Sequence, residues 1–295
     1  MLMAYLPQKD IRIEVIMSYR ILVDSCGELT EQMKKDTHFV SIPLTLFVDR
    51  YTIVDDETFD QKDFLKKVAE SPTGPKSACP SPEKYREEFD CDADHVYAVT
   101  LSAELSGSYN SAEVGKNMLL EEKPDKKVYV FNSRSASIGE TLIALKIQEC
   151  EEAGMDFDAV VKTVEEYIDS QKTWFVLESL DALRKNGRLS LVKSVLATAL
   201  KIKPVMMSTP KGEIDQLAQV RGINKAITRM ADAVIEYVGN EKDRVLAISH
   251  CNCPKRAESL KEYLESKLSL KKIIVLDTAG VSSLYASDGG VIVVV

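Results

Sequence analysis

Residues 95–101 read His-Val-Tyr-Ala-Val-Thr-Leu and run directly into Ser102-Ala103-Glu104-Leu105-Ser106-Gly107-Ser108-Tyr109. The β-branched and aromatic run predicts a strand, residues 107–120 predict a helix, and small hydroxyl residues join the two. The same unit recurs on both sides. Residues 20–24 (RILVD) form a buried-strand pattern that closes in the turn Asp24-Ser25-Cys26-Gly27. Residues 127–132 (KVYVFN) form another strand, ending in Ser133-Arg134-Ser135. A helix follows over 137–153, with Ile138, Leu142, Leu145 and Ile147 at apolar positions. Strand, loop and helix in alternation predict an α/β protein with a parallel sheet and ligand loops at the C-terminal ends of its strands.

A second hydroxyl-rich stretch, Lys76-Ser77-Ala78-Cys79-Pro80-Ser81, lies upstream. Ser81 is the expected N-cap of the helix that follows, with Pro82 in its first turn. Before it, residues 40–48 and 51–54 alternate about Asp49-Arg50 and predict a hairpin. Residues 61–70 read as a short amphipathic helix, broken by Pro72, Gly74 and Pro75. After Gly154 the pattern changes. Helices are expected over 157–171, 191–200, 223–238 and 255–267, and strands over 173–177, 245–251, 273–277 and 291–295. Residues 202–208 and 213–220 read as antiparallel strands about Pro210-Lys211-Gly212. The chain therefore divides into an N-terminal α/β domain over 17–160 and a mixed, partly antiparallel α/β domain over 161–295. Residues 1–16 are expected to be an extension outside the fold.

The composition narrows the function. The 295 residues are 45% apolar, enough for a sizeable core, and carry 38 basic against 46 acidic side chains, a net charge of −8. A nucleic-acid binder needs a basic face, which this mixture lacks. No apolar run approaches the roughly 20 residues of a membrane span. The first 19 residues, with Lys9, Asp10, Arg12 and Glu14, lack a secretory pattern, and the six cysteines show no framework spacing. A cytoplasmic protein with reduced thiols is expected. His250-Cys251-x-Cys253 hints at metal but has no fourth ligand at usable spacing, so no metal or cofactor is expected.

The two serine loops suit an anion. Hydroxyls and helix N-terminal N–H groups hold a carboxylate without a cation, and Ser77, Ser102 and Ser106 are best placed for it. Gly107 allows close backbone approach. Helix capping accounts equally well for any one of these serines. Asp24-Ser25 is placed to wall a site, or to close its strand as an Asx-type turn. A nucleophilic serine needs a base. None of the three histidines, His38, His95 and His250, sits in a triad-like context. No catalytic residue is therefore assigned, and a serine-dependent hydrolase or transferase acting on a small carboxylate or phosphate ester, through Ser102 or Ser106, stands as the alternative. Arg184-Lys185-Asn186-Gly187-Arg188 is a basic turn that either caps a helix or meets an anionic partner, with Arg221 beside it.

These residues resemble the DegV family of fatty-acid-binding proteins, which includes the binding subunits of the bacterial fatty acid kinase system. The resemblance runs nearly end to end from Tyr19. It rests on Ile21-Leu22-Val23-Asp24-Ser25-Cys26, Ser77-Ala78-Cys79-Pro80-Ser81, the loop from Ser102 to Tyr109, Ser133-Arg134-Ser135-Ala136-Ser137, and Leu183-Arg184-Lys185-Asn186-Gly187-Arg188-Leu189. It implies a two-domain fold with a fatty acid in a tunnel between the domains. The carboxylate would lie against Ser77 and Ser102 with nearby N–H groups. An ATP-binding kinase partner would phosphorylate it, meeting Arg188, with Arg184 and Arg221 nearby. Four departures stand out, the first being Ser77 in place of a family threonine, which keeps the hydroxyl. Ala103 replaces a family serine. Asn186 replaces a glycine, and its tolerance of the left-handed conformation would preserve the turn. Tyr285, in Tyr285-Ala286-Ser287-Asp288-Gly289-Gly290, replaces a family histidine with a neutral hydroxyl.

Overall fold

The computed structural model describes residues 18–189 and 202–295. The expected extension over 1–16 and the expected apolar helix over 191–200 lie outside the described residues. In chain order the first half contains β1 (Tyr19–Asp24), β2 (Phe39–Ile42), β3 (Thr45–Val48), β4 (Tyr51–Val54), α1 (Gln61–Glu70), β5 (Lys76–Ala78) and α2 (Pro82–Phe89). It continues with β6 (His95–Thr100), α3 (Ser108–Glu122), β7 (Lys127–Asn132), α4 (Ile138–Glu152) and α5 (Phe157–Ser170). The second half contains β8 (Thr173–Val176), α6 (Asp181–Lys185), β9 (Ile202–Ser208), β10 (Ile214–Arg221) and α7 (Ile223–Val238). It ends with β11 (Val245–His250), α8 (Pro254–Glu265), β12 (Lys272–Asp277), α9 (Gly280–Ala286) and β13 (Val291–Val294).

The strand–loop–helix repeats build a four-stranded sheet in the order β2-β1-β6-β7, parallel throughout. Parallel strands are covered on both faces, which is why β6 is buried at every position. Ile21 and Val23 of β1 join the core under α4 and α5, and Leu22 joins the opposite core under α2 and α3. Val160, Val164 and Ile168 place α5 on this first sheet. The second sheet runs β10-β9-β8-β13-β11-β12, with β11 and β12 parallel and the other pairs antiparallel. One of its faces carries α7 and α8.

α4 lies between the two sheets. Ile143, Ala144 and Ile147 meet the first sheet, while Ile138 and Leu142 meet Ala247, Ile274 and Val294 of the second. A helix buried on opposite sides has no polar face of ordinary width.

The stretch over 40–48 is not one strand. Phe39–Ile42 pairs in the parallel sheet, and Thr45–Val48 leaves it to form a three-stranded antiparallel sheet, β4-β3-β5. Pro43 separates them; it has no N–H to continue a ladder. The hairpin about Asp49-Arg50 forms as expected, with Asp49 at φ 49°. Residues 76–78, expected as loop, form the short strand β5 along β3. Among the described residues no helix is long and apolar enough to cross a membrane.

Candidate ligand-binding site

β5 carries Ser77 in register with Leu46 of β3. The Ser77 hydroxyl lies 3.2 Å from the Tyr285 hydroxyl on α9. α9 is held in place from the first half of the chain. Asp55, just after β4, accepts the N–H of Gly280 at 2.7 Å and of Val281 at 2.8 Å, while Ser25 Oγ donates to it at 2.9 Å. A Cβ on Gly280 would stand 2.5 Å from Asp55 Oδ1 and 2.8 Å from Leu46, so only glycine permits this approach. Burial pushes the Asp55 carboxyl up to about 6, against the pull of its amide and hydroxyl donors.

The second loop leaves β6 beside the first. A Cβ on Gly107 would stand 3.0 Å from Cys79 Sγ, so the two serine loops touch. Ser106 Oγ accepts the N–H of Ser108 at 3.2 Å and lies 3.1 Å from Ser108 Oγ. Ser102 is fully buried, and its hydroxyl donates to the Gly212 carbonyl at 2.8 Å, in the turn between β9 and β10. The structure therefore brings Ser77 and Tyr285 together and sets Gly107 against the first loop. The Ser102 hydroxyl is occupied in joining the two halves of the chain.

Beside Tyr285 lies a cavity whose surface is almost wholly apolar; Ser77, Ser102, Ser106 and Gly107 do not line it. Leu101, Leu105, Phe175, Leu177, Leu183 and Ile214 supply much of the wall, and Tyr285 and Arg188 also line it. Arg188 Nε donates to the Leu105 carbonyl at 3.1 Å, and Nη1 donates to the Asn186 carbonyl. The basic turn is a glycine-terminated helix end: Gly187 takes φ 75°, and Arg188 N–H reaches Leu183 O at 2.8 Å. Asn186 stays at φ −92°, so its tolerance of the left-handed region is unused. Its amide instead donates to Pro75 O at 3.1 Å and Ala182 O at 2.9 Å. Arg184 points outward to Asp181 at 3.2 Å, and Arg221 is exposed at the end of β10.

The histidines have other neighbours. His38 pairs with Asp36 at 2.6 Å, buried His95 with Glu151 at 2.8 Å, and His250 lies 3.3 Å from Asp277. Among the described residues no hydrogen bond joins a histidine to Ser77, Ser102 or Ser106, so no histidine is placed as a general base for these serines. His250, Cys251 and Cys253 do not come together as a possible metal-binding group among the described residues. The Cys251 thiol, buried, is pushed up to about 11.

Asp24 does close β1 as an Asx turn, accepting Cys26 N–H at 3.1 Å, and it also accepts Leu101 N–H at 2.9 Å. Asp55 and Gly280 were not legible as site residues. Nothing local marks them, and they meet only because α9 folds back onto the β3–β4 hairpin.

An apolar cavity beside paired hydroxyls, on an α/β scaffold of three sheets, is the form of a site for a small amphipathic ligand. The DegV family model, described as an uncharacterised protein family, matches residues 18–295, and the chain belongs to the DegV family. Curated DegV domain-containing proteins of Streptococcus gordonii and Streptococcus pneumoniae are each 32% identical over 280 residues, covering 94% of this chain and 98% of theirs.

Among solved structures, a DegV family protein from Ruminococcus gnavus refined with vaccenic acid is 53% identical with a TM-score of 0.92, covering 95% of this chain and 100% of that one. The Streptococcus pneumoniae Fatty Acid Kinase (Fak) B3 protein loaded with linoleic acid is 31% identical with a TM-score of 0.84, over 94% and 99%. A DegV family protein from Eubacterium eligens loaded with heptadecanoic acid is 27% identical with a TM-score of 0.84, over 94% and 99%.

Proposed function

We propose that this chain binds one long-chain fatty acid, with the carboxylate at the serine loops and the acyl chain in the apolar cavity. The observation that carries the reading is the cavity lined by Tyr285, whose hydroxyl is paired to that of Ser77. Two hydroxyls that share one hydrogen bond in the free protein each have a proton to give an incoming carboxylate. Ser106 and Gly107 bring the second loop to the same place, and Ser102 holds that loop against Gly212. Each buried CH₂ contributes about 0.8 kcal/mol, so a long chain supplies on the order of 10 kcal/mol before ordering costs. The carboxylate contacts then select an acid over an alcohol more than they add affinity. The fatty acids named in the solved relatives support the same ligand class.

The division into two domains belongs to the same reading and the change of sheet after β7 supports it, but α5 packs on the first sheet as far as Ile168, so the boundary is placed after α5, near residue 171, and not at 160. The bound acid is presented in the cytoplasm to an ATP-binding kinase subunit, with Arg188 at the cavity and Arg184 and Arg221 on the exposed surface. The likeness to the Fak B3 protein supports that step. The test is denaturing extraction of the purified protein followed by mass spectrometry. The expected result is one equivalent of fatty acid; an empty extract together with no uptake of added fatty acid refutes the proposal.

A further inference from the structure

Beneath the second serine loop lies a buried group of carboxyls that the ligand site does not use. Asp24 spends both oxygens on backbone amides: Oδ1 on Cys26 N–H at 3.1 Å and Oδ2 on Leu101 N–H at 2.9 Å. The second bond fixes the residue at which β6 gives way to the loop. Glu140, in the first turn of α4, is fully buried, and no N–H or O–H of the described residues reaches either of its oxygens. The Tyr85 hydroxyl beside it is also buried and unpartnered. Asp24, Cys26 and Glu140 each bring one polar atom within 4.8 Å of the others.

The surroundings are entirely acidic or neutral. Glu140 faces Asp24 and Cys26 from β1 and its turn and Glu28 beyond them, while Tyr85 comes from α2 and Ser108 from α3. Asp55 also faces Asp24. Two carboxylates offer each other only lone pairs, and two like charges this close in a dry interior do not both persist. One proton resolves both problems. Two amides stabilise charge on Asp24, whereas Glu140 has only the Cys26 thiol and the N-terminal end of α4 to set against its burial and the Asp24 charge, so the proton belongs on Glu140.

We infer that Glu140 is a neutral carboxylic acid that donates to Asp24, and that through Asp24 it positions the loop from Leu101 to Gly107. It is a positioning residue, and the link to carboxylate binding rests on the function proposed above. Burial, followed by the Asp24 charge, pushes the Glu140 carboxyl well above its usual range. The folded state then keeps a proton that the unfolded state releases, so this contribution to stability is complete below the unfolded value of 4.5 and fades as pH rises.

The test compares wild type with Glu140→Gln, whose amide can donate to Asp24 as the neutral acid does but does not titrate. Unfolding is followed from pH 5 to 8, along with the dissociation constant for a fluorescent fatty acid and metal content by mass spectrometry. From pH 5 upward the ratio of the two folding constants should change with pH, by up to about tenfold per unit for one proton, with wild type losing ground as pH rises. Glu140→Gln should bind within about twofold of wild type at pH 7, whereas Glu140→Leu, lacking a donor, should bind at least about tenfold more weakly. Parallel pH profiles for wild type and Glu140→Gln would overturn the inference. So would a stoichiometric divalent ion in wild type that Glu140→Gln loses, which would make the cluster a metal site. If Glu140→Leu does not fold, the Glu140→Gln profile decides alone. Failure of wild type to bind any fatty acid would refute the functional reading and leave the unfolding profiles to decide the proton.

Discussion

Asp55 accepts the N–H of Gly280 at 2.7 Å across 225 residues of sequence, and this bond sets where Tyr285 stands. Asp55 closes the β3–β4 hairpin and Gly280 opens α9, so the hairpin that carries Ser77 on its neighbouring strand also positions the helix that brings Tyr285 to it. Gly280→Ala should place a methyl inside contact distance of Asp55 and cost about 1–3 kcal/mol of stability, read by urea unfolding. The same variant should retain less fatty acid, because α9 moves off Ser77. Unchanged stability would show that the hairpin yields without cost.

The two hydroxyls give a direct prediction. Ser77→Ala and Tyr285→Phe each remove one donor to a carboxylate. Each should weaken fatty acid binding by about 1–3 kcal/mol, roughly five- to 150-fold in dissociation constant. Displacement of a fluorescent fatty acid measures this. The double variant should lose less than the sum, since each hydroxyl is the other's partner in the free protein.

Ser102→Ala tests a different role. Its loss leaves the buried Gly212 carbonyl short of a donor and should cost about 1–2 kcal/mol of stability. Thermal unfolding should shift more than binding does. A large loss of affinity at unchanged stability would instead put Ser102 in contact with the ligand.

Cavity length should govern the acyl chain. Ile214→Trp fills part of the apolar wall and should shift the co-purified acids to shorter chains, at about 0.8 kcal/mol for each methylene excluded. Mass spectrometry of the extract reads the distribution, and an unchanged one would place the chain elsewhere.

Acidity should favour the fold in the mildly acid range. Burial raises Asp55 from 3.8 to about 6 and Glu28 from 4.5 to about 7. In both, the native state holds the proton longer than the unfolded chain, so stability is complete below about pH 4 to 4.5 for these groups and is lost as pH rises through 6 and 7. The combined fall is on the order of a few kcal/mol. Urea midpoints taken between pH 4.5 and 7.5 should therefore decline with rising pH; a flat or rising profile contradicts it.

The sequence by itself determined the parallel sheet, the two hydroxyl loops, the glycine-ended basic turn and the family. These are written in local patterns: alternation within six residues, hydroxyls at strand ends, a glycine at a helix end. Asp24 was readable as an Asx turn for the same reason, because its partner Cys26 is two residues away. Tertiary structure alone decided the rest. Residues 40–48 alternate like one strand, yet they divide between two sheets because Pro43 interrupts the ladder and different partners wait on either side. The Ser102 hydroxyl turns to Gly212, Asp55 reaches Gly280, and Glu140 faces Asp24. In each case the partner lies about a hundred residues away or more, where no periodicity carries information. Such pairings form only when the whole chain packs, because buried polar groups must find donors or protons wherever the fold brings them.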